Sequence, residues 1–269
     1  MTLLKVRGLL KSFGGVMAIA DLDFDVPEGI VYSVIGPNGA GKTTLFNMLS
    51  GIYLPDEGSI SLKGENIVGL APYKIARCGV SRTFQNLQIF FNMSVLENVL
   101  VGCHLRIKEN FLATALRLPM SIREEAKTKQ WAIDALHFCG LDEYISSPSD
   151  ALSYGVLKRM EIARALAMKP SIIMMDEPAA GLNDTETVEM LSLIRRISDS
   201  GITVLLVEHN MNLVMQVSDR ILVLDYGSRL AEGTTEEIQN NPQVIAAYLG
   251  TDTTDGGVGI KTGGSHYAV

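Results

Sequence analysis

Gly36-Pro37-Asn38-Gly39-Ala40-Gly41-Lys42-Thr43-Thr44 fits the pattern G-x-x-x-x-G-K-[ST], with an apolar run before it (30–35) and a helix-like stretch behind it (44–50). In a strand–loop–helix context the glycines let successive backbone N–H groups face a chain of phosphates. Lysine then reaches the β and γ oxygens, and the following hydroxyl ligates Mg2+. The helix N-terminus behind the loop adds partial positive charge where the anion sits. A glycine-rich turn that merely ends in Lys-Thr has no need of the flanking strand and helix. The stretch predicts a site for a nucleoside triphosphate.

The bulk properties bound the rest. A chain of 269 residues is long enough for one large domain, or for a domain carrying an inserted subdomain. Hydrophobic residues make up 47% and charged residues 20%, the balance of a soluble globular protein. The net charge of -7 argues against broad, charge-driven binding of nucleic acid. Cys78, Cys103 and Cys139 are odd in number and lack C-x-x-C spacing, so reduced thiols are expected rather than a disulfide frame. His104, His137, His209 and His266 show no pairing at metal-ligand spacing. No apolar run approaches the ~18–20 residues that span a bilayer, and the N-terminus lacks the basic-then-apolar order of a signal peptide. The expectation is a chain soluble by itself, with any membrane role coming through a partner.

A second stretch, Ser171-Ile172-Ile173-Met174-Met175-Asp176-Glu177-Pro178, is as informative as the first. An apolar strand ends there in two adjacent acids, at the carboxyl edge where open α/β sheets bind ligands. In a phosphate-loop ATPase the first acid, Asp176, holds Mg2+, usually through water. Glu177 is then the natural group to activate or orient the attacking water. Other strand ends add weaker candidates. Residues 80–84 read as a strand leading to Gln85, which is a Mg2+ ligand, an orienter of water or an ordinary loop amide. Residues 203–208 read as a buried strand with His209 at its end, placed for a γ-phosphate contact or simply a satisfied core or surface histidine. Phe13 lies between two short β-prone runs, 3–9 and 22–26, as a ring that stacks on a nucleobase or as a packing residue. Ser153 stands where it caps the helix 157–168, whose N-terminus either attracts an anion or is a plain capped end.

The remaining pattern is organisational. Ser94-Val-Leu-Glu97 is a capping box that starts a helix, and helical patterning continues to about residue 146. Residues 87–168 are therefore expected to form a helical subdomain inserted into the α/β core. Phe90 and Phe91 at its start are either core or a docking surface. Asn183 and Glu186 cap a helix running to Ser200, and residues 221–225 and 229–232 form a hairpin through Tyr226-Gly227. Two short helices then reach Leu249. The tail, 251–269, is rich in Gly and Thr and is expected to be disordered.

In order and spacing these features resemble the nucleotide-binding subunits of ABC transporters, and the resemblance covers nearly everything from Leu3 to Gly250. It puts Phe13 at the base-stacking aromatic, residues 36–43 at the Walker A loop and Gln85 at the Q-loop. Residues 152–156 fall at the signature motif, 172–176 at Walker B and Glu177 at the catalytic glutamate. Residues 180–183 fall at the D-loop and His209 at the switch histidine. More narrowly, Arg82-Thr83-Phe84-Gln85-Asn86, Leu152-Ser153-Tyr154-Gly155 and Val244-Ile-Ala-Ala-Tyr-Leu-Gly250 look like the Liv-type ATPases of branched-chain amino-acid importers. Two departures stand out: Tyr154 replaces the first glycine of the usual Leu-Ser-Gly-Gly-Gln, as is common in that branch, and Val156 replaces the polar residue.

The resemblance implies an α/β fold with a mostly parallel phosphate-loop ABC ATPase core, an N-terminal antiparallel β part and the inserted helices, all within 1–250. It implies an ATPase using ATP and Mg2+. The nucleotide would contact residues 36–44, Phe13 and Gln85, with Thr43, Gln85 and Asp176 toward the metal and Glu177 and His209 in catalysis. Ser153 and Gly155 of a second ABC ATPase subunit would close on it. Permease subunits, and indirectly a substrate-binding protein, would complete a transporter on the cytoplasmic side of the inner membrane. Rival readings within the class differ in cargo, such as urea or amide uptake and lipopolysaccharide export.

Overall fold

The structure is a computed structural model that describes residues 1–106 and 119–249. The expected disordered tail lies outside the described residues, as does part of the expected helical subdomain (107–118). Two long strands open the chain: β1 (Thr2–Phe13) and β2 (Val16–Pro27) pair antiparallel and turn at Gly14-Gly15, both at positive φ as a tight hairpin turn requires. Both strands outrun the expected 3–9 and 22–26. Lys11, Ser12 and Phe13 pair with Ile19, Met17 and Val16, so backbone pairing carries residues with no core face of their own into the sheet.

The chain continues through β3 (Val31–Ile35), α1 (Lys42–Leu49), β4 (Glu57–Leu62), β5 (Glu65–Asn66), α2 (Pro72–Arg77) and β6 (Val80–Arg82). The helices α3 (Val95–Cys103), α4 (Pro119–Phe138) and α5 (Tyr154–Leu166) follow. Next come β7 (Ile172–Asp176), α6 (Asp184–Asp199), β8 (Thr203–Val207) and α7 (Met211–Val217). The hairpin β9 (Arg220–Asp225) and β10 (Ser228–Gly233) leads into α8 (Thr235–Gln239) and α9 (Pro242–Leu249).

Two sheets result, one antiparallel in the order β2-β1-β4-β5 and one in the order β10-β9-β3-β8-β7-β6, parallel except for its β9–β10 hairpin. Every residue of β3, β7 and β8 is buried, as strands covered on both faces must be. Alternation then divides their side chains between two cores. Tyr32, Val34, Met174, Leu205 and Val207 face a cluster shared with the antiparallel sheet and with Leu45, Phe46 and Leu49 of α1. Val31, Ile173, Met175, Val204 and Leu206 face a second cluster built from α3, α4, α5 and α6. Helix α1 is thus clamped between the two sheets, with its N-terminus at the carboxyl end of β3. Among the described residues no helix is long and apolar enough to cross a membrane.

Candidate active site

The carboxyl ends of four neighbouring parallel strands, β3, β8, β7 and β6, form one edge. The loop 36–41 leaves β3 there, His209 follows β8, and Asp176 and Glu177 end β7. Gln85 lies three residues past the end of β6, which stops at Arg82 rather than running to Phe84. Register fixes the alignment, since Val207 of β8 sits beside both Val34 and Asp176.

The loop is shaped by glycine. A Cβ on Gly36 would lie 2.2 Å from the Leu224 carbonyl oxygen and one on Gly41 would lie 2.5 Å from that of Ala18, so backbone passes where no side chain fits. A Cβ on Gly39 would meet nothing within 4 Å, which leaves its face of the loop open. Lys42 is buried and donates from Nζ to the carbonyls of Gly36 at 2.7 Å and Pro37 at 3.0 Å. Burial lowers its pKa, while the nearby charges of Glu177 and Asp176 act to raise it. One ammonium thus faces two carboxylates.

Helix ends separate into two kinds. Ser94, Asn183, Asn210 and Thr234 cap α3, α6, α7 and α8 with side-chain oxygens. No side chain caps α1 or α5. Ala71 leaves α2 uncapped as well, but the proline at its start removes one free amide. The first-turn N–H groups of α1 and α5 are therefore left for water or an anion. The expected cap from Ser153 is absent: the residue occupies the N-cap position, but its hydroxyl accepts from no amide of α5.

Glu177 is held at both oxygens. His209 Nε2 lies 2.6 Å from Oε1, and Gln85 Nε2 donates to Oε2 at 3.1 Å. The residue also has φ of 50°, a left-handed conformation that costs a non-glycine ~1–3 kcal/mol, and its N–H donates to the Val207 carbonyl. Asp176 is 8% exposed, and burial raises its pKa, opposed chiefly by Arg82, whose Nη2 lies 3.2 Å from Oδ2. Thr43 is exposed at the start of α1. No group of three or more His, Cys, Asp or Glu residues suited to a metal occurs among the described residues. A hydroxyl, a carboxylate and an amide oxygen instead fit a hard ion such as Mg2+, which takes few protein ligands and shares phosphate oxygens.

Phe13 packs edge-on against Tyr53 at 5.3 Å between ring centroids, yet stays 43% exposed, so both readings of this ring keep a face. Among the described residues, neither Ser153 nor Gly155 hydrogen-bonds with the phosphate loop. Gly155 packs against Glu186 (an added Cβ would lie 2.4 Å from Oε1), and the Tyr154 ring lies against Gly181. Val156 is buried in the helical cluster, which accounts for an apolar residue there.

Three residues at the site carried no role in the sequence reading. Arg82, bound to Asp176, is the first. Glu208, 6% exposed, accepts from the Ala179 N–H at 3.0 Å and so ties the turn after Glu177 to the strand before His209. Tyr248 in α9 accepts the N–H of Gly36 at its phenol oxygen; burial pushes its pKa up to about 12. A charged residue at the end of a strand signals a partner but does not name it; nothing in the sequence joins Tyr248 to Gly36.

With this geometry in place, relatives decide the family. A family model described as ABC transporter matches residues 19–180. The chain belongs to the ABC transporter family. A second model, described as branched-chain amino acid ATP-binding cassette transporter, matches residues 228–254 of the cassette. The cassette is 47% identical over 249 residues to the high-affinity branched-chain amino acid transport ATP-binding protein BraF of Pseudomonas aeruginosa, covering 92% of this chain and 98% of that one. It is 45% identical, with the same coverage, to the LivG protein of that description from Escherichia coli K12. Among solved structures it resembles the ADP conformation of an ATP-binding cassette of an ABC transporter, with TM-score 0.81, 31% identity and coverage of 93% and 99% of the two chains.

Proposed function

We propose that the cassette is the ATP-hydrolysing subunit of an importer of branched-chain or related hydrophobic amino acids, acting peripherally at the cytoplasmic face of the cell membrane. The observation that carries the ATPase reading is the convergence of Lys42, Asp176, Glu177, Gln85 and His209 at one sheet edge, in front of the uncapped α1. The cargo reading rests on the relatives and on the segment 228–254. Residues 1–250 act as one nucleotide-binding unit, with 87–168 as its helical subdomain.

In this reading the loop amides and Lys42 Nζ take the β and γ oxygens, Nζ exchanging two carbonyl acceptors for phosphate. Phe13 offers its exposed face to the base. Thr43, Asp176 and Gln85 would hold Mg2+, which supplies charge neutralisation on the phosphate oxygens. Glu177 orients the attacking water and accepts its proton. His209 and Gln85 fix the carboxylate for that task, each leaving lone pairs on the oxygen it touches. Catalysis here is positioning and electrostatics rather than covalent chemistry. The second uncapped end, at Ser153–Gly155, has no phosphate of its own within the chain; it serves the nucleotide of a facing ATPase subunit, identical or related. ATP binding selects the closed pair and hydrolysis releases it. A groove of about 460 Å3, lined by Ile52, Ile75, Phe84, Phe90 and Val101 among others, receives a permease subunit.

Titrating a fluorescent ATP analogue tests the site: affinity falls at least tenfold in Lys42→Ala, and unchanged affinity contradicts the assignment. Uptake of labelled leucine, against labelled urea, by cells lacking and regaining the chain tests the cargo.

A further inference from the structure

Arg82 ends the short strand β6 between Asp176 and helix α1 and has no part in the proposed hydrolysis. Its side chain is 9% exposed, and its guanidinium is divided between two directions. Nη2 bonds Asp176 Oδ2 at 3.2 Å. Nη1 donates to Asn47 Oδ1 at 2.7 Å and Ser50 Oγ at 3.0 Å, at the C-terminal end of α1. A cation at that end is favoured by the helix dipole, whose positive end is the phosphate loop. The rings of Phe46 and Phe84 lie 5.7 and 5.3 Å from the guanidinium carbon, and Nε is buried with no acceptor. Arg82 and Phe84 also line the groove beside α2 and α5. A planar fork serves such a three-way junction; a lysine ammonium does not.

We propose that Arg82 is a positioning residue that locks Asp176 and helix α1 into one arrangement and joins both to the wall of the groove. This rests on the reading of the sheet edge as a Mg2+–ATP site. With Oδ2 pinned by Arg82, Oδ1 is the oxygen left for the metal side, and a shift of the groove wall at Phe84 moves the pin. Arg82 acts through Asp176 and α1.

The test compares affinity for a fluorescent ATP analogue with Mg2+ and with EDTA, alongside melting temperature, in the full chain. In Arg82→Met the gain in affinity on adding Mg2+ falls about tenfold, while metal-free affinity stays within about twofold, as loss of one charge-assisted bond predicts. Arg82→Lys recovers part of the gain. Asn47→Ala with Ser50→Ala frees the guanidinium from α1 without touching the ion pair and lowers the gain in the same direction, which serves should Arg82→Met not fold. A Mg2+-dependent gain equal to that of the wild type, whatever the melting temperature, overturns the inference, as does an equal loss with and without Mg2+. A wild-type chain with no Mg2+-dependent gain overturns the nucleotide reading, and the inference with it.

Discussion

Glu177 is gripped from two neighbouring strands, by His209 beyond β8 and by Gln85 beyond β6. The two grips differ in weight. Truncation in His209→Ala removes the 2.6 Å partner and lowers kcat by about 100-fold or more. Gln85→Ala removes one neutral donor, worth ~1 kcal/mol, and lowers it about fivefold. Steady-state phosphate release measures both, and equal effects would contradict this division of labour. Glu208 carries a pH signature. Burial raises its pKa above the ordinary glutamate value. The folded state therefore binds more protons than the unfolded state between those two values, and this residue's contribution to stability falls as pH rises through that window. Glu208→Gln keeps an acceptor for Ala179 and removes the charge. Its melting temperature should exceed the wild type's near neutral pH, and the difference should shrink as pH falls toward the ordinary carboxylate range. A difference independent of pH would show that burial of charge is not the cause. At this level the sequence was legible at Asp176, Glu177 and His209, where acids and a histidine end apolar strands. Arg82, Glu208 and Tyr248 were not, because their partners stand 94, 29 and 212 residues away in the chain.

Helix α9 reaches the phosphate loop that leads into α1. The core that holds Ile35, immediately before Gly36, also holds Val214 of α7, Ile238 of α8 and Val244 of α9. Tyr248 then hands its phenol oxygen to the Gly36 amide. Tyr248→Phe should keep the packing, lose that one bond and weaken ATP-analogue binding by about fivefold, consistent with ~1 kcal/mol. A large drop in melting temperature with unchanged affinity would assign Tyr248 to packing alone. At the other uncapped end, a side chain at Gly155 would drive into Glu186. Gly155→Val should disturb α5 and the capping box of α6 together, lowering turnover while leaving nucleotide affinity at Lys42 near that of the wild type. The order of elements could be read from the sequence because apolar runs, caps and turns punctuate it clearly. The length of β1 and β2 could not, since, apart from the buried Ile19, pairing rather than burial holds their outer residues.

The described residues hold a phosphate loop with its acids, and a second anion-ready helix end at α5. Both were visible as motifs in the sequence. No hydrogen bond joins them within the described residues, which is why the proposed mechanism calls on a facing subunit. The most direct test is Glu177→Gln, assayed together for ATP binding, phosphate release and sedimentation, in the presence of the partner ATPase subunit if the two differ. Mg2+–ATP affinity should be retained, turnover should fall at least 100-fold as expected for loss of a general base, and an ATP-dependent dimer should persist. Turnover equal to that of the wild type would contradict this role for Glu177.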